Sequence, residues 1–142
     1  APTTMCHRPP ATCEGPWEIL ELDSSRVEAN TLGAPDLSIG SCTNQRGRSA
    51  AEHLYRFIPE ATGSHRFQIT GMVSTLFVRR YCQIRSPVHS EMACAREPGG
   101  GSVAGDVPVV MDVELEAGVP VYVFVEDSWI GSGEYTLTVE AP

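Results

Sequence analysis

The chain has 142 residues, 18 acidic residues against 10 arginines, no lysine, and a formal charge of −8. Its length suits one domain, and 42% hydrophobic content is enough for a core, which argues against general disorder. No run approaches the ~18 apolar residues of a membrane helix, and an acidic surface does not suit nucleic acid, whose phosphates call for a basic face.

The opening APTTMCHRPPATCEGP has neither the basic head nor the apolar run of a signal peptide. It reads as a flexible Pro/Thr-rich leader or linker over residues 1–15, ahead of a single domain over 16–142. Helical periodicity is almost absent. RSAAEHLYRF, from Arg48, has helix formers but ends in the strand-like alternation HLYRFI. Period-two segments follow one another along the chain. They are WEILEL (17–22), VEANTL (27–32), LSIGS (37–41), HLYRFIP (53–59) and HRFQIT (65–70). TLFVRRYC (75–82), EMACAR (91–96), PVVMDVEL (108–115), VPVYVFVE (119–126) and GEYTLTVE (133–140) complete the series. Turn signals separate them at EATGS, EPGGGSVAGD, EAG and EDSWIGSG.

Eight to ten short strands at this spacing predict an all-β antiparallel sandwich or barrel. The alternation turns Tyr55, Phe57, Phe67, Ile69, Leu76 and Val78 inward, with Met111, Val113, Leu115, Tyr135, Leu137 and Val139. VPVYVFVE is apolar on both faces and predicts a central strand. The Gly-rich tract at 99–101 reads as a mobile loop.

Five cysteines stand at 6, 13, 42, 82 and 94, with no pair at zinc-knuckle or thioredoxin spacing. Isolated cysteines in a loop-rich chain suit structural disulfides, and therefore a secreted, extracellular or cell-surface protein. Cys82 and Cys94 flank the turn-like QIRSPVHSEMA, and closing so short a loop contributes roughly 3 kcal/mol on the chain-entropy model. The odd count leaves one thiol free or paired between chains.

From Glu52 onward, the order EHLYRFIPEATGSHRFQIT, STLFVRRYCQ, SEMACARE, VPVVMDVELEAGVPVYVFVED, GSGEYTLTVEAP resembles the bacterial pre-peptidase C-terminal domain. The resemblance is to the variant in secreted proteins of myxobacteria and their relatives, and covers about 90 of the 142 residues. ATCEGPWEI and GSCTNQ are similar to its opening strand and second cysteine. The resemblance implies a secreted, non-catalytic, jelly-roll-like β-sandwich. It also implies pairings Cys13–Cys42 and Cys82–Cys94, with Cys6 left over. Family members accompany extracellular proteases and surface proteins, and some bind calcium or polymers such as collagen. Ser74–Thr75 stands where the family's pattern has an acidic residue, so the resemblance carries no calcium ligand to that point.

Histidines stand at 7, 53, 65 and 89. A metal needs three or four converging ligands. His53 and His65, on successive candidate strands, could meet cross-strand, and the competing reading is two ordinary packed rings. His7 adjoins Cys6, where it could lower the thiol pKa or assist a metal. There is no GxSxG nucleophile motif; any two of the 18 acids could converge as a glycosidase pair, and the competing reading is solvated strand edges and turns. Calcium, which needs oxygen ligands and little else, finds its best cluster in Glu126, Asp127 and Ser128 before the last strand, with Asp106 from the Gly-rich loop. That cluster otherwise reads as a solvated acidic loop. Arg79 and Arg80, with Arg85 and Arg66, form a candidate basic strip, and Phe77 and Tyr81 beside them could hold an anionic or sugar-bearing polymer. The competing reading pairs these arginines with local acids across strands. Trp129, beside Ile130 at a loop tip, is either an exposed contact point or a cover folded over the sandwich mouth.

The function expected is an accessory module attaching to an extracellular polymer, surface or partner protein. The alternative is a subunit of an extracellular filament or surface assembly, using the leader and Cys6 for contacts with copies of itself.

Overall fold

A computed structural model describes residues 19–31, 42, 52–71, 73–81, 91–96, 108–127 and 133–142. The predicted leader, the strand over 37–41 and the Gly-rich tract lie outside these residues. The described residues hold β1 Ile19–Glu21, β2 Arg26–Asn30, β3 Glu52–Phe57, β4 Gly63–Gly71 and β5 Val73–Arg79. They continue with β6 Glu91–Arg96, β7 Val109–Leu115, β8 Val121–Asp127 and β9 Glu134–Glu140. No helix among them is long and apolar enough to cross a membrane.

Two sheets form, one ordered β1-β3-β8-β5-β6 and the other β2-β9-β4-β7. The pairs β2·β9, β3·β8, β4·β7 and β5·β6 are nested inside one another, as when one long hairpin is rolled up so that successive pairs fall in opposite sheets. That nesting is the jelly roll. One pairing departs from the antiparallel expectation: β1 lies parallel to β3, with Leu20 opposite Tyr55. Alternation within a strand reports which faces are apolar but not the direction of the neighbour, so the sequence could not reveal this.

The inward side chains interlock between the sheets. Tyr55, Leu76, Val78 and Val123 from the first meet Phe67, Ile69, Met111, Val113, Leu137 and Val139 from the second. Each such buried aliphatic or aromatic side chain contributes about 1.5–3 kcal/mol of transfer free energy. Phe57 sets its ring edge-on to Phe67, centroids 5.7 Å apart. The strand β7, at a sheet edge, alternates strictly between buried and exposed residues. The strand β8, central in its sheet, buries Val123, Phe124 and Val125 completely, in agreement with its two-sided apolarity.

One end of the sandwich is tied by backbone bonds between connections. Gly118, at φ 81° in the β7–β8 turn, donates its N–H to the Pro59 carbonyl at 2.9 Å. The Ala117 N–H reaches Thr62 Oγ1 at 3.0 Å. The other end is tied where the Thr31 N–H donates to the Gly133 carbonyl at 3.0 Å.

Candidate functional site

The outward faces of the two sheets differ. On the five-stranded sheet, Ile19, Leu54, Phe124, Phe77 and Cys94 stand in one register row. Phe77 and Phe124 stack at 4.7 Å with 7° between planes. The Arg79 guanidinium lies 4.9 Å from the Phe77 centroid and 5.1 Å from that of Phe124. Glu52 and Glu126 face one another across β3 and β8. Arg79, Glu52 and Glu126 are all fully buried. Burial pulls the Arg79 pKa down, against the attraction of Glu91, Glu52 and Glu126. The centre of this face is therefore an interior layer, whereas Arg56 and Glu21 toward its edge form an exposed ion pair at 2.8 Å.

This corrects three expectations. Phe77 and Arg79 point outward as the alternation requires, yet they are not a binding surface, because the centre of this outward face is covered. Glu126 is not a ligand in an open loop. It lies within β8, buried in the field of Arg79, while the Asp127 side chain, Ser128, Asp106 and Trp129 lie outside the described residues. The basic strip does not form either. Arg66 is on the other sheet, where its guanidinium forks onto Asp112, Nε–Oδ1 2.8 Å and Nη2–Oδ2 3.1 Å. Arg80 and Tyr81 remain exposed, and Arg85 lies outside the described residues.

The cysteine pairing is corrected as well. Cys94 is bonded to Cys42, S–S 2.06 Å, neither to Cys82 nor in a pattern that leaves Cys42 for Cys13. Loop-closure reasoning counts separation along the chain. The β5·β6 ladder instead sets Cys94 opposite Phe77, well back from the hairpin tip, and there its neighbour is Cys42. Cys6, Cys13 and Cys82 lie outside the described residues.

The two described histidines do not meet. The strands β3 and β4 fall in opposite sheets, so His53 is in one and His65 in the other. His53 Nδ1 is 2.6 Å from the Tyr135 hydroxyl, which is 2.6 Å from that of Tyr55. Burial raises both phenol pKa values; the bond between the hydroxyls opposes the rise at Tyr55 and adds to it at Tyr135. No group of three metal-ligating residues occurs among the described residues. His7 and His89 lie outside them.

The outward face of the four-stranded sheet is open. Glu28, Thr136 and Thr70 are in register across β2, β9 and β4, as are Arg26, Thr138, Gln68 and Val110 across all four strands. The threonines and Gln68 are half-buried, and charged residues surround them. Two ion pairs stand on it, Arg26 with Glu28 at 2.9 Å and Arg66 with Asp112, beside the exposed Glu114, Glu134 and Glu140. At one corner a polar trough of about 500 Å³ is lined by Glu28, Asn30, Thr70, Gly71, Glu134 and Thr136. Gly71, at φ 118°, brings β4 so close to β9 that a Cβ there would lie 2.3 Å from the Glu134 carbonyl. Sequence reasoning missed this face because it followed the inward half of each alternation. The signal was the complementary half, TLT in β9 and QIT in β4.

No family model matches the chain, and no curated protein matches it in sequence. Among solved structures it is similar to the pre-peptidase C-terminal domain of a collagenase from Bacillus anthracis. That match has 13% identity and a TM-score of 0.56, over 89% of this chain and 99% of that one. It is also similar to PliG from Aeromonas hydrophila, a periplasmic inhibitor of g-type lysozyme (10% identity, TM-score 0.51, 86% and 94% covered). CorA of Methylomicrobium album BG8, a surface-associated copper-binding protein, matches at 9% identity and TM-score 0.51 over 89% and 98%. The chain has the β-sandwich fold of a pre-peptidase C-terminal domain, as the sequence resemblance implied.

Proposed function

We propose that this chain is an exported, non-catalytic accessory module, one unit over residues 16–142, that holds an extracellular polymer on the open face of its four-stranded sheet. The observation that carries this reading is the asymmetry of the two outward faces. One is buried at its centre over an Arg–aromatic layer, and the other presents threonine hydroxyls and the Gln68 amide beside a polar trough. Such groups exchange water for the hydroxyls of a polysaccharide, or for the amides of a fibrous protein, at little desolvation cost. Arg26–Glu28 and Arg66–Asp112 are paired, and the exposed Glu114, Glu134 and Glu140 leave the face acidic, which favours an uncharged or cationic polymer over an anionic one.

Export is supported by the Cys42–Cys94 bond, since disulfides persist in oxidising compartments. It is supported too by the periplasmic and surface-associated proteins that share the fold. The collagenase neighbour makes fibrillar collagen one polymer to test beside cellulose, chitin and peptidoglycan. The experiment is co-sedimentation with each insoluble polymer. Depletion of the protein from the supernatant is expected with one of them, weakened about tenfold in a Gln68→Ala/Thr138→Ala variant, from roughly 1.4 kcal/mol lost in hydrogen bonding. Failure to sediment with any, or an unchanged affinity in the double variant, overturns the reading.

A further inference from the structure

Beyond the polymer face, the mouth of the sandwich holds a second cavity. It opens between the sheets where the β1–β2 turn, the β3–β4 connection and the end of β9 converge, with a volume of about 360 Å³. Leu22, Phe57, Ile58 and Val139 form its apolar walls. The loops that shape it are pinned, Leu22 N–H to the Arg56 carbonyl and Val139 N–H to the Ser25 carbonyl, each at 2.9 Å. A cavity held by backbone bonds is preformed and needs little ordering to receive a ligand.

His65 lines this cavity although the residue is only 1% exposed. It takes an inward position on β4, where the pattern of Phe67 and Ile69 would place another apolar side chain. Its ring lies edge-on to Phe57 at 5.8 Å. Its Nδ1 is 3.0 Å from the Gly63 carbonyl, and a carbonyl only accepts, so Nδ1 carries the hydrogen. In the uncharged ring the lone pair then sits on Nε2, which no hydrogen bond reaches among the described residues. Asp23 and Glu60, both exposed, stand on the lining of a chain whose net charge is −8, and Ile58 is 47% exposed beside them.

We infer that this mouth is a binding site for a small aromatic amine that carries an N–H or O–H donor on its ring, of the indolyl or hydroxyphenyl class. The ring fills the space between Leu22, Phe57 and Val139. Its donor is offered to His65 Nε2, and its ammonium group lies against Asp23 and Glu60. An apolar wall with one buried acceptor and acidic residues at the opening suits that class. It does not suit an anion, which the two carboxylates repel.

The test is titration calorimetry of the whole chain with tryptamine and tyramine, alongside indole and ethylamine. Both aromatic amines are expected to bind, with indole and ethylamine each at least tenfold weaker. His65→Phe keeps the ring against Phe57 but removes the acceptor, and is expected to weaken tryptamine about tenfold. Should that variant fold poorly, Ala61→Phe, at an exposed lining position, fills the cavity from outside the core. It is expected to abolish binding with the melting temperature kept and with polymer sedimentation unchanged. No heat with either amine at millimolar concentration, equal binding by indole, full affinity in Ala61→Phe, or binding only of a Trp-containing basic peptide would each overturn the assignment.

Discussion

Phe77 and Phe124, register partners on β5 and β8, stack face to face at 4.7 Å on the outward side of their sheet. The Arg79 guanidinium lies over both rings. A cation on desolvated aromatic faces gains more than at an exposed site, but its charge must still be answered, and Glu52, Glu126 and Glu91 supply the opposing field.

Removing the cation withdraws a positive charge from the field around the buried Glu52 and Glu126. Arg79→Met is expected to lose about 3–5 kcal/mol in urea denaturation. Arg79→Lys keeps the charge, gives up the planar stack, and should fall between that variant and the wild type. A methionine variant as stable as wild type would show that the charge set adds nothing to the fold.

The Cys42–Cys94 bond spans 52 residues of sequence, a loop whose closure is worth roughly 4 kcal/mol on the chain-entropy model. Cys42→Ser/Cys94→Ser should lower the free energy of unfolding by up to about that amount. A non-reducing digest should yield a peptide joining residues 42 and 94. Recovery of a Cys82–Cys94 peptide instead would reinstate the short-loop pairing.

Tyr55 and Tyr135 both have raised pKa values in the fold. The native state therefore holds these protons more tightly than the unfolded chain, whose phenols titrate near ~10. Their contribution is complete below pH ~10 and is lost as pH rises beyond it. Stability should fall steeply above pH ~10, and their tyrosinate absorbance should appear together with unfolding. Tyr135→Phe should flatten that alkaline slope, and it should cost about 1–3 kcal/mol at neutral pH because His53 and Tyr55 lose a shared partner. An equally steep slope in the variant would place the alkaline transition elsewhere.

Gly71 has φ 118°, and a Cβ there meets the Glu134 carbonyl at 2.3 Å and Tyr135 Cα at 2.8 Å. Gly71→Ala must displace β9 backbone rather than a flexible side chain. It is expected to cost at least about 1 kcal/mol and to weaken polymer sedimentation through the trough it borders. Gly118→Ala, with open space around its Cβ position, provides the control for φ strain without a clash. Equal stability of the two alanine variants would remove the role given to the close approach.

The inward set from Tyr55 to Val139 was legible in the sequence, because a strand's two faces alternate with period two and each sheet has one face in the core. The central place of VPVYVFVE was legible for the same reason, as was the order of strands on which the family resemblance rested. Which outward face stays wet was not. Arg66 and Arg79 are the same residue in the same outward phase of consecutive strands that lie in opposite sheets. Arg66 is half-exposed on Asp112, whereas Arg79 is sealed over two phenylalanines. Alternation reports phase relative to a strand's own sheet and carries no information about what packs beyond it. The partner of Cys94, the parallel seat of β1 and the separation of His53 from His65 belong to the same class. Each depends on which distant segments the rolled topology brings together, and only the tertiary structure decides that.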